Sequence, residues 1–152
     1  MGPIAAPFPS HRWFAELVVR AEADTAAMER LGIADLRIGF EVVADDGSGS
    51  WLFGLVFDGY DVDAVGEPER SGFVPEVVVS GPRSAWEEMV RSIEANGGAD
   101  AGHTLNTLTI TGVPFTVRST DAMGQDKLYR YMGTVQAVLD AAGVEPALAA
   151  GR

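Results

Sequence analysis

The chain holds two histidines, His11 and His103, and no cysteine. Imidazole changes charge near neutral pH, so these are the first residues to test for acid–base chemistry. His103 follows a glycine-rich loop and precedes "LTITG", which reads as a strand, and that order sets it at a sheet end. Asp121 and Asp126 are the carboxylates available to orient it as a general base requires. The plainer reading is a histidine that caps a backbone group or meets solvent. "KLYRYMG" adds the polar tips of Tyr129, Arg130 and Tyr131, although Tyr131 reads as core and Arg130 as wet face. No catalytic residue is assigned.

Other chemistry is weaker. A structural metal takes about four closely spaced ligands, and each histidine lacks a neighbouring His or Cys, so no metal ligand is assigned. "DVDAVG" sets Asp61, Asp63 and Gly66 like the start of a calcium loop, but Val65 and Gly72 stand where oxygen ligands are needed. "GSGSW" has Leu52 where a dinucleotide fingerprint has its last glycine, and its glycines join two strands. No cofactor is expected.

The elements must position whatever chemistry remains. At 152 residues the chain is long enough for one domain that buries about 70% of its unfolded surface. No apolar run reaches the ~18–20 residues that span a bilayer, so no membrane insertion is expected. The start, "MGPIAAPFPS", lacks the basic region and longer apolar core of a signal peptide, so a cytoplasmic location is expected. The net charge of −11 repels polyanions, which argues against nucleic acid and anionic membrane surfaces as partners.

Residues 1–9 carry three prolines and read as a flexible arm. Ser10 caps a helix with Phe14, Leu17, Val18, Ala21, Met28 and Leu31 at helical spacing, ending at Gly32. "LRIGFEVVA" and "WLFGLVFDG" alternate around the turn "DDGSGS", a hairpin whose second strand is covered on both sides. Residues 58–72 read as a polar loop, and a third strand centres on Val77 to Val79. The next helix places Trp86, Met89, Val90 and Ile93 on one face. Leu108/Ile110 and Phe115/Val117 suggest two more short strands. A last helix from Asp121–Gln125 has the seam Leu128, Tyr131, Met132, Val135, Leu139 and Ala142. The expected architecture is α+β: a mostly antiparallel sheet of about five strands covered by three main helices. One domain is expected over 10–142, with flexible tails at 1–9 and 143–152. Gly39 and Gly54 interrupt the best strands and Gly133 sits inside the last helix, which either permits close packing or leaves a cavity floor.

This order resembles the sterol-carrier-protein-2 (SCP2-like) family over roughly residues 10–142. The similar features are "SHRWFAEL", the apolar hairpin, "VVVSGPRSAWEEMV" running from strand into a tryptophan-bearing helix, then "LTITG" and a closing helix. The resemblance implies a five-stranded sheet covered by helices, with a hydrophobic tunnel for sterols, fatty acids or acyl-CoA. It implies a lining of Phe40, Phe53, Leu55, Trp86, Val90, Tyr131 and Val135, with His103 as a lid residue at the mouth. The long segment "TGVPFTVRSTDAMGQDKLYRYMG" departs from the family, and closing the tunnel or forming a homodimer interface are two uses open to it.

Three functions follow as expectations. The first is binding, without covalent chemistry, of a hydrophobic small molecule such as a lipid, sterol or acyl chain. The alternative is a small cofactor-free isomerase, cyclase or dehydratase with His103 as base and Asp121 or Tyr131 as its partner. The third is an interaction subunit whose edge strand pairs with another chain.

Overall fold

In the computed structural model, which describes residues 3–66 and 71–143, the first helix begins where its cap demands. Ser10 Oγ accepts the Trp13 amide, and α1 (His11–Ala23) buries Phe14, Leu17, Val18 and Ala21. The helix expected to reach Gly32 breaks at Asp24. That carboxylate caps a second helix, α2 (Thr25–Leu31), by accepting the Ala27 amide at 3.0 Å. An aspartate that offers the backbone an alternative partner ends one helix by starting the next.

β1 (Ala34–Val43) and β2 (Ser50–Gly59) form the expected hairpin, with Phe40 opposite Phe53 and Ile38 opposite Leu55. The stretch expected as a loop after β2 contains β3 (Asp61–Val65), which turns its aspartates to solvent and buries Val62. Period-two burial across an acidic run is a strand's signature. β4 (Val77–Pro82) lies parallel to β1, and β5 (Thr116–Ser119) closes the far edge. The sheet order is β3-β2-β1-β4-β5, mixed in orientation, with every pairing except β1/β4 antiparallel.

α3 (Arg83–Asn96) follows β4 without a loop, buries Trp86, Met89, Val90 and Ile93, and ends on Gly97 in the left-handed conformation. Where a strand is expected at "LTITG", Leu108 and Thr109 instead end a short helix, α4 (Leu105–Thr109), and residues 110–112 turn away from it. The Thr104 side chain caps it on the Thr107 amide, and Leu105 and Thr109 are buried one turn apart. With Thr104 capping the first turn, local hydrogen bonding prevails over β-branched composition.

The closing helix is also divided, into α5 (Ala122–Arg130) and α6 (Met132–Asp140), joined at Tyr131 with φ −102° and ψ 15°. Gly133, expected inside the last helix for close packing or as a cavity floor, is exposed in the first turn of α6, and a Cβ there would meet nothing within 4 Å. Gly39 and Gly54 pair across β1 and β2 and are covered from outside: a Cβ on Gly54 would lie 2.7 Å from the Phe73 ring. There the glycines serve close packing. Two of the three expected main helices are thus each split in two, and α4 is added between them. Among the described residues no helix is long and apolar enough to cross a membrane. The tail expected after Gly143 lies outside the described residues.

Candidate ligand-binding site

Alternation along β1 and β2 points Phe40 and Phe53 to the helical side. The α1 seam lays Phe14 across both, with ring centroids 5.7 and 5.0 Å away and nearly parallel planes. α3 brings Trp86 edge-on to Phe40 at 5.7 Å, and the indole donates to the Glu41 carbonyl at 3.0 Å. Phe115 stacks on Trp86 at 4.4 Å and covers Gly81, which has no Cβ to obstruct it. At the other end His11 meets Phe53 edge-on at 5.1 Å. Six rings therefore run in contact from His11 through Phe53, Phe14, Phe40 and Trp86 to Phe115.

Phe40, Phe53, Leu55, Trp86, Val90 and Val135 fall into one buried cluster, and half-buried Tyr131 packs against it. His103 stands apart. It lies in the loop between α3 and α4, where its Nδ1 is 2.8 Å from Asp100. Neither Asp121 nor Asp126 is its hydrogen-bond partner there: Asp121 caps α5 through the Gly124 amide at 3.1 Å. Because residues 105–109 are helical, the sheet-end position expected for His103 does not arise. The hydrogen bond from His103 holds the Asp100 carboxyl below its ordinary value, assisted by Ser92 and the Gly102 amide. Such an arrangement orders a loop.

Phe14 and Phe115 were not among the expected lining residues. Phe14 had a legible signal in the α1 seam. Phe115 had none, because its placement depends on β5 docking beside β4. The arm before α1 also contributes: Ile4 is buried, and Phe8 packs edge-on against Trp13 at 4.8 Å.

Two clefts approach the line of rings. One of about 260 Å³ lies beside its His11 end, between Ser10, His11, Ser50, Trp51 and Phe53, and has no carboxylate in its wall. The second, about 210 Å³, lies between the arm and α3, where Trp13 and Val90 face Ile4 and Phe8 and where Glu87, Arg91 and Glu94 of α3 complete the wall. A separate cleft of about 150 Å³, between α1, α2 and α6, holds Met28, Leu31 and Ala141 with Arg20, Asp24 and Asp140. Among the described residues no group of three His, Cys, Asp or Glu could hold a metal, and no buried side-chain polar atom lacks a hydrogen-bond partner.

No family model matches the chain, and no curated protein matches it by sequence. Solved structures do match its fold. The solution structure of a conserved hypothetical protein from Thermus thermophilus has a TM-score of 0.60 and 11% identity, over 93% of this chain and 92% of that one. A crystal structure of sterol carrier protein 2 gives 0.56 and 14%, over 86% and 93%. The apo form of sterol carrier protein 2 from Yarrowia lipolytica gives 0.50 and 12%, over 87% and 88%. The chain has the sterol carrier protein 2 fold.

Proposed function

We propose that this protein binds a hydrophobic small molecule, such as a lipid, sterol or acyl chain, and carries it without covalent chemistry. The observation that carries the reading is the line of rings between the sheet and α1 and α3, reached from the surface beside His11 and Trp51. Inward of His11 a polar substrate finds no free directional partner among those rings, since the Trp86 indole already donates to the Glu41 carbonyl, whereas an apolar chain needs none. The fold shared with sterol carrier protein 2 supports the same class of ligand.

Burying ten methylenes contributes roughly 8 kcal/mol before association costs, so affinities near micromolar are expected. The rims of the clefts, with His11, Ser10 and Ser50, offer hydrogen bonds to a polar head. The test is titration of the polyene fatty acid cis-parinaric acid, together with native mass spectrometry and organic extraction of protein purified from its own host. Saturable micromolar binding and a co-purified apolar molecule are expected. Neither would appear if the core were closed to ligands.

A further inference from the structure

The arm has the form of something lodged in a site. Its inward side chains Ile4, Ala6 and Phe8 alternate with exposed Pro3, Ala5 and Pro7, so an extended chain lays one apolar edge against α1 and α3. Ile4 is 6% exposed, as well buried as many core residues. What holds it is mainly apolar contact. Pro3, Pro7 and Pro9 have no amide hydrogen to give, and the arm joins no strand. The Ala5 amide reaches Glu16 of α1 at 3.2 Å. Apolar contact is non-directional, so an alkyl chain of similar width can replace it. The surface beneath includes Trp13, itself in ring contact with Phe14 at 5.0 Å, so it continues into the line of rings.

We infer that Ile4, Ala6 and Phe8 occupy a site between α1 and α3 for the extended alkyl chain of an amphiphile, and that ligand and arm compete for it. The inference rests on the hydrophobic-ligand reading above and adds where the chain lies and what it displaces. A ligand that must expel the arm binds with its intrinsic affinity reduced by the fraction of molecules whose arm is already out. Weakening the arm therefore tightens binding, and locking the arm weakens it. Ordinary core packing predicts no gain from weakening.

Two variants test this with cis-parinaric acid as probe. Ile4→Ser with Phe8→Ser releases the arm, and affinity is expected to rise at least about fivefold. Ala5→Cys with Glu16→Cys, in a chain that has no cysteine of its own, accepts a short reducible cross-linker that holds the arm on α1. The cross-linked form is expected to lose at least about fivefold in affinity and to regain it on reduction. Thermal unfolding of each variant checks that it is folded, and the locked form decides the matter if the serine variant is not. Unchanged affinity between the locked and reduced forms overturns the inference while the ligand reading stands. Absence of probe binding by the parent chain and by every variant overturns both.

Discussion

On the side facing α1 and α3, β1 and β2 present Phe40, Phe53, Leu36 and Phe57, all buried. On the other side the same strands present the paired Gly39 and Gly54 beneath Phe73 and Pro75, and then a margin of charge. There Glu41 accepts from Arg118 at 2.9 Å and Ser80 at 2.7 Å, which ties β5 to the sheet centre. Glu76 accepts from Lys127 at 2.7 Å and from the Arg37 amide at 2.8 Å, which ties α5 to β1. One face is held by area and shape, the other by a glycine fit and ion pairs that respond to pH. On the proposed reading an apolar ligand lies against the first face, and the second is its support.

The largest effect expected from breaking this contrast comes from the ring line. Phe14→Ala removes a ring stacked on two others and should cost about 3–5 kcal/mol in denaturant unfolding, with loss of probe binding. Next is Gly54→Leu. Its side chain must push Phe73 off the outer face, at about 1–3 kcal/mol, while the affinity for cis-parinaric acid stays unchanged because Gly54 faces away from the rings. Lost affinity there would mean that the ligand lies on the outer face.

The pH response should be smaller. The hydrogen bond from Arg118, with that from Ser80, holds Glu41 below its ordinary 4.5 against the opposing effect of burial. Burial raises Glu76, but Lys127 and the Arg37 amide outweigh it, so it too lies below 4.5. Carboxylates with depressed values stabilise the fold above about pH 4.5 and lose that contribution as pH falls through their folded values. Lys127, raised chiefly by its bond to Glu76, keeps its contribution until pH rises past 10.5. Unfolding midpoints should therefore fall below about pH 4.5, and Glu41→Gln should flatten that fall, with the Glu41–Arg118 pair, the more exposed of the two, contributing about 0.2–1 kcal/mol at neutral pH. The smallest effect is that of His103→Ala, within about 0.5 kcal/mol in stability and without change in probe affinity, since its partner is loop-bound Asp100.

The parts legible in the sequence were those governed by near neighbours. The α1 and α3 seams and the β1/β2 hairpin show their buried faces through spacing alone, and six of the eight expected site residues meet in one core. Breaks set by a single capping side chain were missed at Asp24, as was the joint at Tyr131, because apolar periodicity runs through both. "LTITG" reads as a strand by its β-branched residues, but the Thr104 cap one turn earlier makes Leu108 and Thr109 the end of a helix. The arm's alternation of Ile4, Ala6 and Phe8 was present, but its three prolines argued for looseness. Only the docked α1 and α3 give those side chains somewhere to go.

The parallel pairing of β1 with β4 has a consequence for how the chain assembles. The hairpin partners β1 and β2 are joined by a tight turn closed by the Ala44 amide on the Gly49 carbonyl at 2.8 Å. The bond from the Glu76 amide to the Arg37 carbonyl, at 2.8 Å, that starts the parallel register instead spans 39 residues. Closing the longer loop costs more chain entropy, and parallel contacts repay nothing until it is closed. The hairpin is therefore expected to form first and the β4/β5 half to dock onto it late. In native-state hydrogen exchange, amides of β1 facing β2 should outlast those of β5, making the half that carries Arg118 the first to open.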